Sequence, residues 1–127
     1  MNYEAIEQTH SDLHQLVGMH VRWKIRFRNA ITHKLRFNIA VIRKDDCCDF
    51  GKWLHGDGKK YARFPAYNNL LAQHAEFHKQ AALVATEANA NNNHEVESML
   101  SPSSPFNKAF AEISATVTTL MKQAGVR

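Results

Sequence analysis

The sequence predicts an all-α protein, an antiparallel four-helix bundle made of three long helices and one short cysteine-bearing helix. Three observations carry that expectation. Apolar residues recur at spacings of three and four over long stretches, glycine and proline gather between those stretches, and no segment sustains the alternation of a strand.

The first stripe runs through Ile6, Leu13, Leu16, Val17, His20, Trp23, Phe27, Ala30 and Ile31, in a segment from Tyr3 to about Leu35 that has no proline and only Gly18. Within it, "HVRWKIRFRN" alternates charged and apolar residues from Arg22 to Phe27, as a half-exposed strand would. That patch lies inside a much longer period of 3.6 and yields to it, so the segment is helix, with Arg22, Arg26 and Arg28 off the apolar face. Val21 and Ile25, with Gly18, form a second, minor stripe. A helix with two stripes touches two neighbours, which makes Val21 and Ile25 candidates for a homodimer contact.

From Arg36 to Gly58 the period breaks up. "DDCCDFGKWLHG" reads as a short helix closed by glycines, with Asp45 or Asp46 as its N-cap. The period returns from about Ala66 to Ala90 through Leu70, Leu71, His74, Phe77, His78, Ala81, Leu83 and Val84, and stops at "NANNN", a polar loop. His94 to Leu100 makes one or two helical turns. "SPSSPF" then supplies a turn in which Ser104 caps and Pro105 takes the first position of a last helix carrying Phe106, Phe110, Ile113, Val117, Leu120 and Met121.

The 127 residues suffice for one core, so a single domain over 1–127 is expected. Apolar runs are short, and Glu4 and Glu7 stand where a signal peptide would be basic and then apolar, which predicts a cytoplasmic protein with no membrane partner. The net charge of +4 comes largely from Arg22, Lys24, Arg26, Arg28, Lys34, Arg36, Arg43 and Lys44. No nucleic-acid fingerprint accompanies these residues, so they read as solvated helix faces and no nucleic-acid partner is expected. Two adjacent cysteines cannot make a disulfide framework.

Eight histidines beside so few thiols raise the question of metal. "HAEFH" puts His74 and His78 at i and i+4 on one helical face, a bidentate grip, although His10 and His14 share that spacing. His20 and His74 lie on apolar stripes, and burying an imidazole costs roughly 1 to 3 kcal/mol unless its nitrogens are satisfied. Three such imidazoles and one thiolate would complete a closed tetrahedral zinc site.

His20 followed by Trp23, then "CDFGKW" from Cys48 to Trp53, then His74-x-x-x-His78, resembles the signature of the chemoreceptor zinc-binding (CZB) domain. "MLSPSSPF" before the last helix is also similar to what bacterial members carry. The resemblance implies Zn2+ held by His20, Cys48, His74 and His78. Only Cys48 stands two residues before Phe50-Gly51, so Cys47 falls outside the pattern, as a bystander or as an alternative thiol when Cys48 is displaced or oxidised. Trp23, Phe50 and Trp53 pack around the site, and Gly51 lets the chain approach closely. It further implies a regulatory zinc or oxidant sensor, responsive to agents such as hypochlorous acid, that dimerises and controls a chemoreceptor or a diguanylate cyclase, and so chemotaxis or cyclic-di-GMP synthesis. The chain holds neither a receptor signalling hairpin nor a cyclase domain, so a free-standing module and a fragment both fit.

No catalytic residue is expected. Four protein ligands leave no open coordination position, and a helix turns Glu76 away from the histidines beside it. The alternative within the same fold class is a di-iron bundle of hemerythrin or ferritin type. Ferritin-like sites want paired ExxH motifs, and the chain has one, Glu7 to His10, with no HxxxE.

Overall fold

A computed structural model describes Gly18 and residues 22–125. His20 and Val21 lie outside the described residues. The described residues are helical throughout, with no strand: α1 over 22–33, α2 Ile39–Arg43, α3 Asp49–His55, a 3-10 turn Asp57–Tyr61, α4 Pro65–Asn89, α5 Asn93–Met99 and α6 Pro105–Gln123.

The strand-like patch is helix. Phe27 and Ala30 are buried on its inner face, Trp23 and Ile31 pack beside them, and Ile25 is 59% exposed on the other stripe. α1 ends where Lys34 adopts a positive φ and the Leu35 N–H returns to the Ala30 carbonyl at 2.9 Å, closing the last turn.

α4 and α6 form an extensive helix pair. They run antiparallel, because the Ala66 N–H donates to the Gln123 side chain at one end while Phe77 meets Phe106 and Phe110 nearer the other. Phe27 joins them edge-on to Phe106 and also touches Phe37, so α1, α4 and α6 share an aromatic core. Such ring pairs contribute about 0.5–1.5 kcal/mol beyond the apolar area they bury. α6 starts as its sequence predicts: Ser104 accepts the Asn107 N–H at 3.2 Å and Pro105 fills the first turn.

Four local features depart from expectation. α2 and the 3-10 turn were not anticipated; α2 starts at Asn38, whose side chain accepts the Val41 N–H. The N-cap of α3 is Cys48, not Asp45 or Asp46: Asp45 is held back, its carbonyl against Gly51 and its carboxylate 3.8 Å from His55. The asparagine tract is more ordered than a polar loop, since Asn89 is the last residue of α4, Asn91 takes the left-handed conformation that ends the helix, and Asn92 bonds Glu87.

Candidate metal centre

Two elements bring three donors together. α4 carries His74 and His78 one turn apart, both buried against the core. The start of α3 brings Cys48, which accepts the Gly51 N–H at 3.3 Å and so sits where the helix begins. That placement depends on Gly51. A Cβ there would collide with the Asp45 carbonyl oxygen, so only glycine lets the preceding loop cross the first turn of α3.

Cys48 Sγ lies 3.3 Å from His74 Nε2 and 3.3 Å from His78 Nε2, and the two Nε2 atoms are 3.1 Å apart. With zinc bonds of about 2.0–2.1 Å to nitrogen and about 2.3 Å to sulfur, tetrahedral ligands stand about 3.3–3.6 Å from one another. The observed triangle is slightly tighter than that and matches three vertices of a zinc tetrahedron. Among the described residues no carboxylate joins this group.

The tautomer of His78 follows from the geometry. Its Nδ1 is 2.8 Å from the Ile42 carbonyl, which can only accept, so Nδ1 carries the proton and Nε2 offers its lone pair to the centre. Burial holds His78 below its ordinary pKa despite the Ile42 bond and Asp45, which favours the neutral, ligating form. Burial pushes the Cys48 thiol up, opposed by the backbone N–H groups of Gly51 and Phe50, so a metal must displace its proton on binding.

Of the residues expected to pack around the site, Phe50 lies against the His74 ring, with centroids 5.0 Å apart. Trp53 is one layer out, on Tyr61 and over Gly58, where a Cβ would fall 2.9 Å from its ring. Trp23 packs on Phe27 with the Arg26 guanidinium 4.0 Å from its ring centre. Cys47 is exposed, its sulfur 3.5 Å from the Asp46 carboxylate. The Ile42 carbonyl was invisible in the sequence, because a main-chain acceptor has no residue signature; the Asn38 cap was the one hint that a helix delivers it.

Among the described residues no helix is long and apolar enough to cross a membrane. No curated protein and no solved structure matches the chain significantly. The family model described as the chemoreceptor zinc-binding domain matches residues 20–85, just over half of the chain and a span that contains all three converging donors. The chain therefore belongs to the chemoreceptor zinc-binding domain family.

Proposed function

We propose that this chain is a regulatory module that binds Zn2+ through Cys48, His74 and His78, with His20 as the fourth ligand, and that passes the state of that site to a signalling partner. The observation that carries the reading is the convergence of one sulfur and two imidazole nitrogens within 3.1–3.3 Å of one another, with the His78 tautomer already set for ligation. Bound zinc would stabilise the Cys48 thiolate and link α3 to α4.

The residues then act as follows. His74 and His78 are buried on α4, a 25-residue helix, whereas Cys48 sits at the start of a seven-residue helix. Losing the metal releases the α3 side first, because α3 has little apolar area of its own. Oxidation of Cys48 by a two-electron oxidant such as hypochlorous acid weakens the same link, since sulfenic acid is a poorer ligand than thiolate. One domain over 1–127, built as a four-helix bundle, would dimerise through Val21 and Ile25. Its output would be a chemoreceptor or a diguanylate cyclase, a regulatory rather than a catalytic role.

A thiol in the donor group, with no carboxylate joining it among the described residues, argues against the di-iron alternative. Metal analysis of the purified protein tests the proposal: one zinc per chain, largely lost in Cys48→Ala, is expected. Unchanged stoichiometry in that variant removes Cys48 from the site, and iron with an oxo-bridge absorbance would replace the zinc reading altogether.

A further inference from the structure

α2 is five residues long, too short to persist as an isolated helix, and it is pinned to α4 at two points. At its C-terminal end the Ile42 carbonyl accepts the Nδ1–H of the ligating imidazole of His78 at 2.8 Å. Just ahead of it, the Phe37 N–H donates to Asn89 Oδ1 at 2.8 Å and the Phe37 carbonyl accepts from Asn89 Nδ2 at 2.9 Å. This ring of two hydrogen bonds satisfies both main-chain groups of a part-buried residue with one side chain. The Phe37 ring is itself held against Phe27, with centroids 5.1 Å apart, so the connector cannot slide to find other partners.

Asn89 lies eleven residues beyond His78 on α4, about 16 Å away at 1.5 Å per residue. It touches none of the three donors, yet it fixes the register of the segment that supplies the Ile42 carbonyl. Among the common residues, asparagine alone has the required reach and pairing. Aspartate keeps the acceptor but sets a carboxylate oxygen against the Phe37 carbonyl, and alanine leaves both Phe37 groups unsatisfied.

We propose that Asn89 is a positioning residue for the metal centre, and that α2, held between Asn89 and His78, is the element through which occupancy of the centre reaches the rest of the chain. The inference rests on the zinc reading given above. Once Nε2 of His78 is ligated, its Nδ1–H becomes the stronger donor, so the bond to Ile42 tightens. Segment 37–43 is then more firmly held in the loaded protein than in the empty one. It follows α1 in the chain, joined to it through residues 34–36, so the link runs from the site back to the first helix.

The test uses the full chain, unsubstituted and as Asn89→Ala, Asn89→Asp and Asn107→Ala. Asn107 makes buried bonds to the Leu100 and Ser101 carbonyls, far along the chain from α2, and controls for loss of structure as such. Three quantities are read: zinc affinity by competition with a chromophoric chelator, amide exchange of 37–43 with and without zinc, and the His78 Nδ1–H resonance in the loaded protein. In the unsubstituted chain zinc slows exchange across 37–43. Asn89→Ala weakens zinc about tenfold, abolishes that protection and shifts the Nδ1–H resonance, in line with loss of an outer partner of a ligand. Asn89→Asp falls between, and keeps the test open where Asn89→Ala does not fold. Asn107→Ala lowers thermal stability and leaves all three quantities as they were. A chain that binds one zinc, with Asn89→Ala and Asn89→Asp unaltered in affinity and protection, overturns the inference alone. Failure of the unsubstituted chain to bind zinc overturns the zinc assignment and the inference together.

Discussion

The sulfur of Cys48 accepts the Gly51 N–H at 3.3 Å and stands equally far from the Nε2 atoms of His74 and His78, so one atom both starts α3 and completes the donor triangle. The two roles separate by substitution. Serine keeps an N-cap acceptor, whereas alanine has none. In the metal-free protein Cys48→Ala should be about 1 kcal/mol less stable than Cys48→Ser by denaturant titration. Both should lose more zinc affinity than the about 10- to 100-fold typical of an outer partner, because a ligand itself is gone. Equal stability of the two metal-free variants would show that the cap contributes nothing.

Gly51 offers a sharper steric test. Its missing Cβ makes room for the Asp45 carbonyl, and backbone cannot move aside as a flexible side chain can. Gly51→Ala should cost about 1–3 kcal/mol, as overpacking does, and should weaken zinc binding by displacing the loop that leads to Cys48. A thermal melt and a chelator competition check both, and wild-type values in each would contradict the described crossing.

Removing the metal should lower the melting temperature in a concentration-dependent way. A ligand that binds only the folded chain stabilises it by about 2.7 kcal/mol at one hundred times its Kd. Amide exchange should rise first in 44–55, the Cys48 loop and α3, before the α4–α6 pair. The Tyr67 hydroxyl donates to the Leu54 carbonyl at 2.6 Å, so the last turn of α3 should open after its first. Uniform loosening of all helices would contradict this order.

The long helices were legible because their periods repeat. The stripe of α4 and the Ser-Pro start of α6 are signals spread over many residues, and the structure places both within a residue or so of expectation. α2 was not legible, since five residues cannot establish a period, and only Asn38 hints at a start. The histidine pair of the donor triangle could be read from its spacing, one helical turn apart, whereas Cys48 was singled out from Cys47 only by the resemblance of "CDFGKW" to the family signature. The supports of the triangle could not be read. The Ile42 carbonyl is main chain, the Asn89 clamp hides in an asparagine-rich tract, and a thiol serving as N-cap in place of Asp45 or Asp46 follows from a backbone crossing that depends on tertiary contact.

Ile25 is 59% exposed on the face of α1 away from Phe27 and Ala30, which suits a contact with a second copy. Ile25→Glu should shift the protein from dimer to monomer by sedimentation or light scattering, with zinc stoichiometry unchanged. An unsubstituted chain that is already monomeric would end the dimer proposal while leaving the metal centre intact.

The central claim is a zinc ion ligated by Cys48, His74, His78 and His20. X-ray absorption at the zinc edge of the loaded protein tests it most directly. The account predicts one sulfur at about 2.3 Å and three nitrogens at about 2.0–2.1 Å. A first shell without sulfur, or one completed by several oxygens, would contradict it.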